Sequence, residues 1–454
     1  MTASVPASAA PRQGEEIRHI ARHAWPILVA QLASMGLMLI DTALLGHYGA
    51  ADLAAVAIGG GIYIAVIMAC AGVLQAVAPV VAHLHGAGRH GEIAAALQQA
   101  FWVALVLAVP ACLLMRFPDP LLAMATMEPA VEAKTRAYLD LLAWGLPLVL
   151  LYRTLFAFAN ALGHSRPFML ISLATTALHL PLSWCLIQGR WGGPPLGVEG
   201  TGWSTLIIVG VGFLCGFAYL WRSAALAPLA LLGRWHRPQW ARLRELLRLG
   251  LPMGFSNLVE ISAFTLIALF IAREGATVVA GHRIVANLAA LLYMLPLAVA
   301  IATLARVGRA AGARDSAGME RAVGAGMVLA TGLSLLFGGL LWWGAGPLVG
   351  AATGDGRVAA VAVGLVGYLA AYQLFDAIQT VAGFSLRGCK ITFLPMLIHT
   401  LCFWGVGLGG GWWLAYGSPA MGVAGYWAAS TASLVLAALL LGGLLWRVLA
   451  ATRE

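Results

Sequence analysis

Twelve stretches of this chain are apolar over about 20 residues, the length that an α-helix needs to cross the hydrocarbon core of a bilayer. They begin near Trp25, Leu53, Ile93, Arg136, Phe168, Gly197, Leu246, Thr277, Ala322, Val358, Phe393 and Gly422. The composition agrees with membrane insertion, because 61% of the residues are hydrophobic and only 10% are charged. The sequence therefore predicts an all-α polytopic membrane protein with twelve transmembrane helices.

Other protein classes are disfavoured by the same sequence. The basic residues are spread over short connectors and form no single basic face beside stacking aromatics, so they do not indicate a nucleic-acid partner. The six cysteines lie in or at the ends of apolar stretches without a CxxC pair, and we interpret them as packing residues without a metal or redox role. The first apolar stretch lacks a signal-peptide cleavage motif and is expected to remain as a span. No cofactor and no obligate protein partner are expected.

The arginine and lysine residues between the spans predict the orientation. The connectors on the side of the N-terminus and the two terminal segments carry nineteen of these residues, whereas the connectors on the other side carry six. Arginine and lysine are enriched in cytoplasmic loops of membrane proteins. Both termini are therefore predicted to face the cytoplasm.

The second half of the chain repeats the first. Pro26 corresponds to Pro252 and Gly86 to Gly312, both at an offset of 226 residues (252 − 26). Further matches at this offset are Leu32 with Leu258, Gly49 with Gly275, Ala54 with Ala280 and Ile58 with Ile284. A nearly constant offset over a whole half indicates a duplicated unit of six spans.

The repeat divides the chain into four predicted parts. These are a cytoplasmic N-terminal segment (1–24), an N-terminal lobe of six spans (25–222), a cytoplasmic linker (223–245) and a C-terminal lobe with a short cytoplasmic tail (246–454). Because six is even, both lobes enter the membrane from the same side, and the predicted pseudo-two-fold axis runs along the membrane normal. Two facing bundles leave a cleft between them, which is the architecture of an alternating-access carrier.

Three acidic residues lie deep inside apolar stretches: Asp41, Glu260 and Asp376. An ionised carboxylate in hydrocarbon costs several kcal/mol, so an acid that is tolerated there usually faces a bundle interior or an aqueous cavity and takes part in ion or proton movement. The three acids do not follow the repeat, since Glu260 falls opposite Ser34 (260 − 226). The duplicated scaffold therefore carries different chemistry in each lobe.

In the C-terminal lobe, Glu260 and Asp376 are expected at a similar depth, about 20 Å and about 15 Å from the inner ends of their helices at the helical rise of ~1.5 Å per residue. Two carboxylates at one depth cannot both stay ionised without a counter-charge, so they hold a proton or a cation. Their oxygens, with the hydroxyl of Tyr293 or Tyr372 and the amide of Asn287, suit a small hard cation such as Na+. The structural alternative is an ion pair with Arg283.

Among the three deep acids, Asp41 is the single one of the N-terminal lobe, with Gln31 and Gln75 as candidate hydrogen-bond neighbours. A lone acid favours a proton over a metal cation, because a cation site requires several oxygens. The alternative is a protonated Asp41 bonded to a backbone carbonyl. His179 is the other deep ionisable group of this lobe, and it is either a proton relay or a packing histidine.

Several motifs of the chain also occur in a known family. They are Ala30-Gln31-Leu32, Asp41-Thr42, Gly86-Ala-Gly-Arg89, Gly281-His-Arg-Ile-Val-Ala-Asn287 and Met294-Leu-Pro296-Leu297. From Trp25 to Trp446 the chain resembles the multidrug and toxic compound extrusion (MATE) family, and within it the NorM-type branch of bacterial exporters. The resemblance implies two six-helix lobes and export of lipophilic, often cationic drugs across the bacterial inner membrane, driven by inward flow of Na+ or H+.

The resemblance also implies roles for single residues. Glu260, Tyr293 and Asp376 match the cation-site positions of the NorM branch, and Asp41 matches the acid of the first helix. In NorM relatives the fifth helix commonly carries Asn where this chain has His179 and Ser183, a departure that argues against a Na+ role of this lobe and leaves room for a proton there. Ion and drug are expected to compete for the same carboxylates. The expected substrate-binding residues are Asp376, Gln31, Asp41, Tyr372 and Asn287.

Two rival functions make different demands on the sequence. A lipid-linked oligosaccharide flippase needs a strongly basic cleft for diphosphate, and the spans offer only Arg153 and Arg283. An integral membrane transferase needs a clustered catalytic constellation near one interface, and none is found in the sequence. We therefore expect a cation-coupled antiporter and not an enzyme.

Overall fold

The computed structural model describes residues 13–123, 127–190, 192–231, 233, 235–418 and 420–453. In these ranges the chain forms helices and no strand, and twelve of the helices are long and apolar enough to cross a membrane. The predicted all-α polytopic membrane fold is therefore confirmed. Residues 1–12 of the predicted N-terminal segment, and residues 232 and 234 of the predicted linker, lie outside the described residues.

In chain order the spans are α1 (Gln13–Gly46), α2 (Ala50–Gly86), α3 (His90–Arg116), α4 (Pro129–Ala161), α5 (Ser165–Gln188), α6 (Val198–Arg222), α7 (Trp240–Glu274), α8 (Ala276–Gly312), α9 (Ser316–Trp343), α10 (Gly356–Gly388), α11 (Phe393–Tyr416) and α12 (Val423–Ala451). Short helices at Asp119–Leu122 and Ala345–Ala352 precede α4 and α10. Two spans are irregular. In α2, the helices Ala50–Leu74 and Val77–Gly86 follow each other with a break at Gln75, and α11 contains a π-helical segment at Leu401–Gly409.

Helix α7 begins at Trp240, six residues before the start near Leu246 that apolar length predicts. Part of the predicted linker 223–245 is therefore helical. Its first turns are polar, and Glu245 there binds Lys390 at 2.7 Å. A search for apolar length finds only the part of a helix that lies in lipid, so it misses turns that extend beyond it.

Both described ends of the chain lie on one side of the bundle. At the start of α1, Glu16 binds Arg306 near the end of α8 through two hydrogen bonds of 2.6 Å. At the end of α12, Arg453 pairs with Glu320 near the start of α9. We call this side the terminal face and the other side the opposite face.

The two halves of the chain, α1–α6 and α7–α12, pack against each other in the part of the bundle nearer the terminal face. A Cβ atom added to Gly72 would lie only 2.6 Å from the Cα of Gly254. The backbones of α2 and α7 are therefore in direct contact at these two glycines. Toward the terminal face, His83 bonds the carbonyl of Gly388 at 2.7 Å. In the described part of the chain, the hydrogen bonds between the two sets of spans all lie on this side. The space between the halves is therefore closed at the terminal face.

One contact recurs in both halves near the opposite face. Asp52 accepts a hydrogen bond of 2.9 Å from the backbone N–H of Val198 at the start of α6. Glu274 accepts one of 3.0 Å from the N–H of Val423 at the start of α12. Each valine follows a glycine at positive φ, 54° at Gly197 and 59° at Gly422. The repeated Gly-Val sequence thus begins the sixth span of each half in the same way.

Candidate cation and substrate sites

In the first half, α1 and α5 bring Asp41 and His179 together. Nε2 of His179 lies 2.8 Å from Oδ1 of Asp41, and the two residues are only 1% and 6% exposed. Ser183 shares a face of α5 with His179 because the two are four residues apart. Its hydroxyl lies 3.2 Å from the same ring nitrogen and 3.4 Å from the carboxylate. The carboxylate thus has an imidazole and a hydroxyl as polar neighbours.

A line of hydroxyl groups continues from this pair toward the start of α6. The hydroxyls of Ser183 and Ser204 are 2.6 Å apart, Ser204 donates to the carbonyl of Thr201 at 3.0 Å, and Thr201 donates to the carbonyl of Val198 at 2.6 Å. The three side chains are fully buried. Each hydroxyl has one proton to donate. Because Ser204 donates its proton to the carbonyl of Thr201, the hydroxyl of Ser204 can accept a hydrogen bond from Ser183.

The protonation of the Asp41–His179 pair follows from its hydrogen bonds. Within the described residues, Nδ1 of His179 is buried without a hydrogen-bond partner. A proton on Nδ1 would therefore lack an acceptor, which favours a neutral ring that carries its proton on Nε2 and donates it to Asp41. One further proton on Asp41 is then enough to neutralise the carboxylate.

In the second half, α7, α8 and α10 bring four of the predicted residues together. Asp376 is 3% exposed and lies within electrostatic range of Glu260. The hydroxyls of Tyr293 and Tyr372 lie within range of both carboxylates. Tyr372 also packs edge to face against Phe264, with ring centroids 6.2 Å apart. Two carboxyl groups and two phenol oxygens therefore share one region among aromatic rings.

Asp376 is anchored by a neighbouring amide that the sequence analysis does not single out. Gln379 donates from Nε2 to Oδ1 of Asp376 at 2.9 Å. Its Oε1 lies 3.2 Å from Nε2 of His399 on α11. His399 is buried at 7% exposure. The spacing of Gln379, three residues after Asp376 on one helix, was an available signal, whereas the contact with His399 depends on how α10 and α11 pack.

A cation close to these acids is Arg387, one of the nineteen basic residues that the sequence analysis counts in the connectors and terminal segments on the side of the N-terminus. It is instead a buried residue in the last turn of α10. It lies within electrostatic range of Glu260 and Tyr293, and its guanidinium carbon lies 4.5 Å above the ring of Phe384. Arg283, the partner considered from the sequence, is exposed. The connector assignment is wrong because α10 remains helical beyond its apolar stretch.

Three further glutamine and asparagine residues of the sequence analysis lie apart from these clusters. Gln75, considered as a neighbour of Asp41, lies 3.4 Å from Arg387 across the contact between the halves. Asn287 is an exposed residue of α8, six positions before Tyr293. Gln31 is partly buried on α1, ten positions from Asp41. The exposed side chain of Asn287 and the partly buried one of Gln31 thus stay predictions as substrate-binding residues.

The family model MatE matches the chain twice, at residues 26–185 and 252–413. The chain belongs to the MATE family. It is 53% identical over 427 residues to a probable multidrug resistance protein NorM of Aromatoleum aromaticum, covering 93% of this chain and 92% of that protein. A second probable multidrug resistance protein NorM, from Chromobacterium violaceum, is 38% identical over 432 residues, covering 94% and 92%.

A solved structure of the MATE family has the same fold. The crystal structure of MATE in the bent conformation superposes with a TM-score of 0.88 at 18% identity, covering 98% of this chain and 99% of that one. With the identities above, this places the protein among NorM-like MATE transporters. The family model matches once in each half of the MATE chain, at nearly the offset that the sequence repeat predicts.

Proposed function

We propose that this MATE protein is a cation-coupled antiporter that exports lipophilic, often cationic compounds in exchange for Na+ or H+. The observation that carries the proposal is that Glu260 and Asp376 lie within electrostatic range of each other inside the second half, where Tyr372 packs against Phe264. The names of the relatives, which are multidrug resistance proteins, support the same substrate class.

In this proposal the second half holds the coupling ion. The carboxylates of Glu260 and Asp376 and the hydroxyl of Tyr293 supply hard oxygens that suit Na+, and the same carboxylates attract an organic cation. Tyr372 and Phe264 offer aromatic faces to that cation. Ion and drug compete for one negative site, so arrival of the ion from one side favours release of the drug.

The first half holds a proton. The Nε2–H of His179 already occupies an oxygen of Asp41, so a Na+ ion would have to displace that hydrogen bond. A proton instead adds to the pair without removing a ligand. We propose that His179 is a proton relay and not merely a packing residue.

Alternating access follows from the contact between the halves. We propose that the protein lies in the bacterial inner membrane with the terminal face in the cytoplasm, as the distribution of basic residues supports. The closed terminal face then corresponds to an outward-facing state. Each ligand acts by binding one cleft orientation better than the other.

The proposal is tested with purified protein in liposomes that contain ethidium. A Na+ gradient and a pH gradient are imposed separately, and ethidium transport is followed by fluorescence. Transport driven by Na+ assigns coupling to Glu260 and Asp376. Transport driven only by the pH gradient assigns the coupling to protonation, and Asp41 is then the first acid to mutate. Absence of transport under both gradients would contradict the proposal.

The flippase alternative is less well supported. A carrier of a lipid diphosphate needs basic groups where its substrate binds, whereas the deep polar clusters described above are built around Asp41, Glu260 and Asp376. The relatives at 53% and 38% identity carry multidrug resistance names. A flippase would show no ethidium transport in the same liposomes.

A further inference from the structure

A basic cleft lies at the terminal face where the two halves meet. Its volume is about 430 Å³, and its lining residues are His19, Arg22, His23, Leu162, Gly163, Arg166, Ala305, Arg306 and Arg309. The walls come from α1, from the α4–α5 connection with the start of α5, and from α8. Both halves therefore contribute, and six of the nine residues are arginine or histidine.

The positive charge of this cleft is only partly neutralised by the protein. Glu16 binds Arg306 through both carboxylate oxygens, and its charge also reaches Arg309. Within the described residues, Arg22, Arg166 and Arg309 take part in no ion pair. Guanidinium groups gathered around one cavity repel one another, so an anion that enters it is strongly favoured.

Two nitrogen atoms of the lining are buried without a hydrogen-bond partner among the described residues. They are Nε of Arg309 and Nε2 of His23. A buried guanidinium N–H without an acceptor is costly, and an anionic oxygen satisfies it. The pKa of His164 beside the cleft is lowered, first by burial and then by the positive charge of Arg309. The second of these causes shows that the positive potential of the cleft extends to this histidine.

The position of the cleft indicates the source of the anion. Trp25 follows Arg22 by three residues, so the two lie on neighbouring parts of the α1 surface, and Trp25 is 62% exposed. Exposed tryptophans of membrane proteins prefer the interface between lipid and water. Trp25 therefore supports a position of the cleft near the lipid headgroups, and the planar guanidinium groups of arginines match the oxygens of a phosphate group.

We propose that this cleft binds the phosphate group of an anionic phospholipid and links the two halves at the terminal face. Arg22 and Arg166 belong to the first half, and Arg306 and Arg309 to the second. A phosphate can bridge them only while the halves are closed there, so bound lipid stabilises the closed form. The binding itself does not depend on the proposed transport activity, whereas its effect on the cycle rests on the alternating access proposed above.

The test is lipid binding to the purified full-length protein in neutral detergent, measured by native mass spectrometry. Phosphatidylglycerol is the anionic probe, phosphatidylcholine the zwitterionic one and inorganic phosphate the soluble one. The cleft variant is Arg22→Gln with Arg166→Gln. The control is Arg222→Gln with Arg447→Gln, which removes the same charge from exposed residues toward the terminal-face ends of α6 and α12.

We expect the wild type to bind phosphatidylglycerol more tightly than phosphatidylcholine. The cleft variant should bind phosphatidylglycerol at least about tenfold more weakly, as loss of two basic groups near a lipid phosphate implies. The control should remain within about twofold of the wild type, because its charges lie outside the cleft. Arg22→Lys with Arg166→Lys keeps the charge but loses the planar guanidinium groups that can bind two phosphate oxygens at once. Its affinity for phosphatidylglycerol should therefore lie between those of the wild type and the cleft variant.

Equal weakening in the cleft and control variants would overturn the proposal, because it would indicate general attraction to a basic surface. Unchanged binding in the cleft variant, or equal binding of phosphatidylcholine by the wild type, would overturn it as well. Binding of inorganic phosphate without binding of phosphatidylglycerol would overturn the lipid assignment and make the cleft a site for a soluble phosphate. None of these readings requires transport, so they stay separate from failure of the antiport proposal.

Discussion

His179 and Asp41 are 138 residues apart in the sequence, yet their side chains are joined by a 2.8 Å hydrogen bond inside the first half of the protein. The carboxylate is buried on α1, and the imidazole approaches it from α5. We propose that this pair takes up one proton on the carboxylate of Asp41, next to the imidazole that already contacts it.

The first prediction concerns this pair. Asp41→Asn removes the group that takes up the proton, and His179→Ala removes its partner. We expect pH-driven ethidium transport to fall at least about tenfold in both variants, the range in which a positioned acid–base group contributes. Initial rates in liposomes measure it.

The matched control is His47→Ala, since His47 is an exposed histidine that follows α1 directly. Its transport rate should equal that of the wild type. If His179→Ala transports at the wild-type rate while Asp41→Asn does not, His179 is a packing residue and the relay proposal is wrong.

The second prediction concerns the hydroxyl line between α5 and α6. Ser183→Ala and Ser204→Ala each remove one side of a 2.6 Å contact between buried residues. Interhelical hydrogen bonds in membranes contribute about 0.6 kcal/mol on average and up to about 1.7 kcal/mol. A double-mutant cycle on thermal unfolding in detergent should give a coupling energy in this range, and additive effects would show that the two hydroxyls do not interact.

The third prediction concerns the close contact between α2 and α7. Gly72→Ala places a methyl group 2.6 Å from the Cα of Gly254, and backbone cannot yield as a flexible side chain does. We expect a loss of about 1–3 kcal/mol of stability, as for overpacked cores, together with slower transport, because the halves can no longer close tightly.

Gly60→Ala is the control on the same helix. No atom of the described residues lies within 4 Å of the added methyl group, and alanine is the better helix former by about 0.5–1 kcal/mol. The two variants should therefore shift the midpoint of thermal unfolding in opposite directions. A shift of the same sign and size in both would contradict the tight contact.

The fourth prediction concerns the repeated contact at the starts of α6 and α12. Asp52→Ala and Glu274→Ala each leave a backbone N–H without its acceptor, at Val198 and Val423. Each loss should cost about 1–3 kcal/mol, and the double variant should show the sum, because the sites are separate. Asp355→Ala, which removes a more exposed cap at the start of α10, should cost less stability than either change. An equal loss of stability in Asp355→Ala would refute the structural role of Asp52 and Glu274.

The spans and the three deep acids could be predicted from the sequence because their signals are local. An apolar stretch of about 20 residues is visible in the chain itself, and an acid inside it is conspicuous. The grouping of Glu260, Asp376 and Tyr293 was also accessible, since helical depth and the resemblance to a family both indicate it.

Other parts of the site depend on packing that no local pattern reports. Arg387 was assigned to a connector because its surroundings in the sequence are polar, and only the continuation of α10 shows that it is buried. The contact between His399 and Gln379 requires α11 to lie against α10. The basic cleft arises where α1, α5 and α8 converge, so its arginines appear in the sequence only as ordinary positive residues at span ends.

The central claim is that Glu260 and Asp376 couple export to a cation, and it is tested most directly by ethidium transport in liposomes with Glu260→Gln and Asp376→Asn. Both changes preserve shape and remove the charge. We expect both variants to insert and fold but to lose gradient-driven transport by at least about tenfold, whereas Glu199→Gln, at an exposed acid, retains it. Transport at the wild-type rate in both variants would contradict the claim.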